Sequence, residues 1–62
     1  MKAPKVKLSG TDGNAFAIIG KVSGALKQAG QRDQAKEFMG KAFTAKSYDE
    51  VLRLAMEYAD VS

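Results

Sequence analysis

The sequence predicts an all-α fold, a small three-helix domain with a short N-terminal extended segment or strand. Three observations carry this reading. Apolar residues recur at three- and four-residue steps in three stretches, Ala15 to Ala29, Ala35 to Phe43 and Val51 to Ala59. Turn formers and polar residues separate those stretches. The period-two alternation of a strand occurs once, over Lys5-Val6-Lys7-Leu8-Ser9.

The extended segment spans residues 1–9. A lone strand leaves its backbone donors and acceptors unpaired. It must pair with another chain, pair with the tail Ala59-Asp60-Val61-Ser62, or remain a free arm, and the residues do not choose among these. The run Gly10-Thr11-Asp12-Gly13-Asn14 is a turn whose Thr11, Asp12 or Asn14 can cap a following helix. Helix one is expected over 14–29. Ala15, Ile18, Ile19, Val22, Ala25, Leu26 and Ala29 form its apolar stripe, and Gly30 ends it in a left-handed conformation.

Helix two is expected over 32–45, with Ala35, Phe38, Met39, Ala42 and Phe43 on its inner face. Asp33 near its start and Lys41 near its end suit the helix dipole. Ser47-Tyr48-Asp49-Glu50 has the capping-box pattern, in which the Ser hydroxyl accepts from the Glu50 amide and the Glu side chain reaches back. Helix three then spans 48–59, with Val51, Leu52, Ala55, Tyr58 and Ala59 inward and Leu54 and Met56 broadening the face. The whole of 1–62 reads as one domain, without repeat or linker.

Size limits what such a chain can do. Sixty-two residues bury only about 60% of their extended-chain surface. A core of this size rarely supplies more than roughly 3–5 kcal/mol of net stability. There is no Cys and no His, so neither a disulfide nor a zinc site supports the fold. No metal site and no cofactor are expected. Helix packing and oligomerisation are the remaining supports, and a homo-oligomer is the expectation. The aromatic side chains Phe16, Phe38, Phe43, Tyr48 and Tyr58 are too many for one small core, so some should lie at an interface.

The lack of His and Cys also removes the commonest general base and the strongest common nucleophile. No spacing marks a triad or a carboxylate pair, and the chain is read as a non-enzyme. No apolar run approaches the length of a membrane span. Met1-Lys2-Ala3-Pro4-Lys5 is basic, but the following Val6-Lys7-Leu8 is broken by charge. The expected location is cytoplasmic, with no membrane partner.

Two places are candidates for recognition. Phe16, Gly20, Ser23, Gly24 and Lys27 line a second face of helix one, adjacent to the main stripe. Glycine within a helix costs about 1 kcal/mol relative to alanine, and two of them four apart make a shallow groove. Helix two or three of the same chain, or another copy, can sit on it. The other place is the turn before helix one. Gly10, Thr11, Gly13 and Asn14 can present amides to an anion at the helix start, with Lys5, Lys7 and Lys21 adding charge, while Asp12 would repel a phosphate unless its side chain is occupied by capping. The pattern lacks both the phosphate-loop Lys and the dinucleotide fingerprint.

Charge is unevenly spread. Residues 1–30 are net +4 and residues 31–62 net −1. A nucleic-acid reader needs an exposed basic recognition helix. Helix three carries Asp49, Glu50, Glu57 and Asp60 against Arg53, which phosphates would repel. Helix two is more basic, at Arg32, Lys36, Lys41 and Lys46, yet Asp33 and Glu37 lie among these.

The run from Val6 through Ser9-Gly10-Thr11-Asp12-Gly13-Asn14-Ala15-Phe16 to Val22, then Ala25-Leu26 and Ala29-Gly30, together with Ser47-Tyr48-Asp49-Glu50-Val51-Leu52, resembles small proteins encoded by phages and other bacterial mobile elements. The resemblance covers most of the chain and transfers no catalytic or ligand residue. It implies the cytoplasm of a bacterial host and an accessory role exercised by binding. The expected function is non-catalytic binding, first of a protein partner such as a host defence component that it inhibits. Sequestering a phosphate-bearing small molecule such as a nucleotide, as an oligomer, is the second reading. A nucleic-acid regulator is the third.

Overall fold

A computed structural model describes residues 3–8 and 14–61 of the chain. Its elements are β1 (Lys5–Val6), α1 (Ala15–Gln28), α2 (Arg32–Phe43), α3 (Tyr48–Tyr58) and β2 (Asp60–Val61). The three helices pack pairwise around one core, and the two short strands close the chain's ends against it. The Cα radius of gyration is 10.2 Å, close to the roughly 10.6 Å of a globular chain this long. The fold is the all-α three-helix domain with an N-terminal extended segment that the periodicities predict.

Local chemistry accounts for each helix end. Asn14 is extended, and its Oδ1 accepts from the Ala17 amide at 3.2 Å; of the three candidate caps, it makes this bond. At the other end Gly30 takes φ 78°. Its amide donates to the Lys27 carbonyl at 3.1 Å, and the Gln31 amide donates to the Leu26 carbonyl at 2.8 Å. That pair of bonds is the Schellman stop, which needs a residue tolerant of the left-handed region.

α2 ends at Phe43, short of the expected 45. There the Thr44 and Ala45 amides bond to carbonyls three residues back, and the Thr44 hydroxyl donates to the Lys41 carbonyl at 2.8 Å. These groups satisfy the last carbonyls and wind the chain out of the helix. Ser47 Oγ accepts from the Glu50 amide at 3.2 Å, as the capping pattern requires, while Glu50 Oε2 accepts from the Lys46 amide at 2.9 Å. α3 stops when Ala59 turns extended, at φ −141° and ψ 158°.

That turn at Ala59 decides the fate of the N-terminal segment. The Asp60 amide donates to the Pro4 carbonyl at 2.8 Å, and β1 and β2 pair in parallel with Lys5 opposite Asp60 and Val6 opposite Val61. Of the three open possibilities, the tail is the partner. Alternation then buries Val6 and Leu8 against the helices and leaves Lys5 and Lys7 outside.

The core alternates large and small side chains. Phe38, Ile18, Leu26 and Val22 are its largest fully buried members. Ala35 and Ala42 on α2, with Ala55 and Ala59 on α3, are buried between them. Short side chains let the helices approach closely around one ring. Phe38 meets the Tyr58 ring with centroids 5.6 Å apart and planes tilted by 59°, a favoured aromatic geometry.

Two residues expected inward face out. Phe43 is 58% exposed and Met56 is 60% exposed. Phe43 follows Phe38 by five residues, which is about 140° round the helix. Met56 stands about 100° from buried Ala55. Each falls outside the arc that meets the other helices, although its spacing from Met39 or Leu52 continues an apolar step.

Replacing Phe38 by Ala removes the central ring. Such a change costs about 3–5 kcal/mol, which matches the roughly 3–5 kcal/mol expected of a core this size. Phe38→Ala should therefore lose its cooperative thermal transition by circular dichroism, while Phe43→Ala, outside the core, should keep it.

Candidate functional site

α1 has two open flanks, and the structure divides the sequence-selected residues between them. One flank borders β1. There Val6, Lys7, Gly20, Lys21, Gly24 and Gln28 line a shallow groove of about 330 Å³. Lys21 Nζ donates to the Lys7 carbonyl at 3.3 Å and so bridges helix to strand. A side-chain carbon at Gly20 or Gly24 would meet nothing within 4 Å. Neither α2 nor α3 packs on these glycines, so their place in the helix has no intramolecular packing reason among the described residues.

The other flank borders α2. Ser23 lies on it but is only 5% exposed, its hydroxyl donating to the Gly20 carbonyl at 3.2 Å. Ser23 is thus buried, with its hydroxyl satisfied within α1, and is not a surface group. Phe16, by contrast, is 74% exposed. Its ring lies 6.2 Å from that of Phe43, tilted by 42°. Further along the same pair of helices, Lys27, Arg32, Lys36 and Met39 line an open groove of about 610 Å³.

The spacing explains why these residues share a side. Phe16 and Lys27 are eleven residues apart on α1, and Phe43 and Arg32 are eleven apart on α2. Eleven residues make about three turns, so each pair returns to one face about 16 Å along the helix. Met39 and Lys36 sit four and seven residues before Phe43, on the same face. Antiparallel packing then sets Phe16 beside Phe43 at one end and Lys27 beside Arg32 and Lys36 at the other. No single-helix pattern reveals this grouping, because half of it comes from each helix.

The cations on this face form no ion pair among the described residues. The ion pair formed among the described residues is Lys41–Glu37 at 3.3 Å. Lys27, Arg32 and Lys36 take part in none. Asp33 lines a second depression at the α1–α2 turn, together with Arg32, Gly30 and Gln34.

Glu37 is engaged elsewhere. Its Oε1 accepts from the Tyr58 hydroxyl at 2.6 Å and from Lys41 Nζ, and that ammonium lies 5.7 Å from the Tyr58 ring centre. The Tyr58 hydrogen bond, then Lys41, holds the Glu37 carboxyl below its ordinary range. Contact with the Tyr58 oxygen, then Glu37, raises Lys41, and the Glu37 carboxylate raises Tyr58. All three shifts reinforce the charge states of neutral pH. The cluster ties α2 to α3 and does not poise a group to exchange protons near neutrality.

Of the anion-turn residues, Gly10, Thr11 and Gly13 lie outside the described residues. Asn14 uses its side-chain oxygen as the helix cap, and Lys21 lies on the β1 flank. Among the described residues no group of three carboxylates is placed to hold a metal ion, and no helix is long and apolar enough to cross a membrane.

Two outcomes follow. Gly24→Ala should stabilise the isolated domain by up to about 1 kcal/mol, because the added methyl meets open space; chemical denaturation measures it. Tyr58→Phe should lower the melting temperature at neutral pH. A carboxylate whose pKa is lowered by folding stabilises the fold above its unfolded value and loses that effect as pH falls. The difference between Tyr58→Phe and the parent should therefore shrink as melts are moved down through the carboxylate range.

No family model, no curated protein and no solved structure matches the chain.

Proposed function

We propose that this chain is a non-catalytic protein-binding domain, and that it engages its partner through the outer face of α1 and α2. The observation that carries this is the exposed ring pair Phe16–Phe43. Aromatic side chains are enriched at interface hot spots, and their removal from water contributes much of the binding energy there. Two adjoining exposed rings on a domain of this size have no role in its own core, which Phe38 fills. Met39, half-buried beside them, continues the apolar surface.

The resemblance to small phage and mobile-element proteins supports a host protein as the partner, met in the bacterial cytoplasm and inhibited by being bound. Lys21 and Asn14 are both engaged within the chain, so the described residues favour a protein over a phosphate-bearing small molecule.

Site-specific photocrosslinking tests the reading in the cells that express the chain. A photoreactive side chain at Gly40, next to Met39, should give a discrete protein adduct that disappears in the double variant Phe16→Ala/Phe43→Ala. The same group at Asp49 on α3 should give none. Adducts of equal yield from both positions, or none that depend on the two rings, would sink the proposal.

A further inference from the structure

The geometry points to an acidic amphipathic helix of another protein as the occupant of the α1–α2 face. This rests on the protein-binding reading above and names the partner's chemistry. One end of the face is apolar, with Phe16 and Phe43 in contact. The other is cationic, with Lys27, Arg32 and Lys36 lining one groove together with Met39. All three cations are exposed and none has an ionic partner within the described residues.

Arg32 begins α2, where the helix dipole is positive. Three cations thus converge on one groove at the start of a helix; the Asp33 carboxylate lines a second depression, shared with Arg32, and forms no ion pair with any of them. Charges left this way repel one another, and an anionic occupant relieves that repulsion.

The separation of the two ends selects the class of occupant. They lie about 16 Å apart along the helix axes. A groove between two helices accepts a third helix laid along it, read through side chains at helical spacing. Apolar residues on the first turns of such a helix would cover the two rings, and carboxylates three turns on would meet the cations. Single-stranded nucleic acid asks for a different arrangement, with cations tracking every phosphate and rings interleaved among them as stacking platforms. Here the rings pack against each other at one end, and the cations are gathered at the other.

A second copy of this chain offers α3, whose exposed side carries Asp49, Glu50, Met56 and Glu57 but is interrupted by Arg53; self-association is therefore read out in the test.

The test uses the full chain and synthetic peptides of about 18 residues, long enough to span the face. One peptide carries Leu in its first two turns and Glu in its last two, all along one helical face. A second replaces each Glu by Lys, and a third scrambles the first. Fluorescence anisotropy at fixed salt should show saturable binding of the Glu peptide and at least ten-fold weaker binding of the other two. Phe16→Ala and Lys36→Glu should each weaken the Glu peptide at least ten-fold, and Lys36→Glu should gain affinity for the Lys peptide. Lys46→Glu, outside the groove, should leave binding unchanged. Circular dichroism confirms that each variant is folded, since none of these side chains is in the core.

Equal binding of the scrambled peptide, indifference to Lys36→Glu, or tighter binding of single-stranded DNA to this face would overturn the inference. So would self-association that Phe16→Ala abolishes. The two readings fail separately: ring-dependent crosslinks in cells with no binding of the Glu peptide would remove the acidic helix and leave the protein-binding role standing.

Discussion

The fold depends on a core that holds one large ring. Phe38 is fully buried, and the residues that close around it are mostly Ala, Val, Ile and Leu. Interiors pack at near-crystalline density, so a second ring would force side chains out of their rotamers or part the helices. Tyr58 resolves this by lying at the rim, its ring against Phe38 and its hydroxyl turned out to Glu37. Phe16 and Phe43 have no such place and stand in water. Their exposure follows from domain size, and it places two large exposed rings together on the outer face of α1 and α2.

Closure of the ends is the second constraint. A two-residue parallel pair is far too short to be stable by itself. It forms because Val6 and Leu8 on one side, and Ala59 on the other, are buried in the same core. Burial holds the strands, and the strand bonds satisfy backbone groups that burial would strand. The pairing also builds the groove beside Gly20 and Gly24, since β1 supplies its other wall. The two flanks of α1 therefore have different origins. One is walled by a strand whose position depends on the tail, the other by a helix joined through the tight glycine turn at Gly30.

Much of this was legible in the residue pattern. Helical periodicity, the Ser47–Glu50 box and Gly30 placed all three helices and their approximate ends, because each of these acts within a few residues. The binding face was legible only in part. Phe16 stands out as a ring on the face adjacent to the α1 stripe, but Phe43 extends the apolar step of α2 and reads as core. Its direction follows from where α1 lies, which is a tertiary fact. Ser23 fails in the opposite sense: polar and beside two glycines, it reads as surface, yet its hydroxyl is satisfied by the Gly20 carbonyl and it can be buried at little cost. The grouping of Lys27 with Arg32 and Lys36 needs the antiparallel pairing of two helices, and that pairing is not written in either one. The strand's partner was undecidable for the same reason, since the bonding capacity of β1 says nothing about which edge fills it.

The small core also bears on how such a domain would work. A ligand that binds only the folded state adds RT ln(1 + [L]/Kd) to stability, about 2.7 kcal/mol at a hundred times Kd. That is comparable to the whole net stability of roughly 3–5 kcal/mol expected at this length. In a large protein the same binding energy would be a minor correction; here it would be a principal term. Helix propensity at Gly20 and Gly24, ring burial at Phe16 and Phe43, and relief of repulsion among Lys27, Arg32 and Lys36 all act on one helix pair. The surface that meets the proposed partner is thus the same material that must hold together without it. Partner and fold are thermodynamically linked through α1 and α2, so tightness of binding and completeness of folding should rise together, with α1 as the shared element.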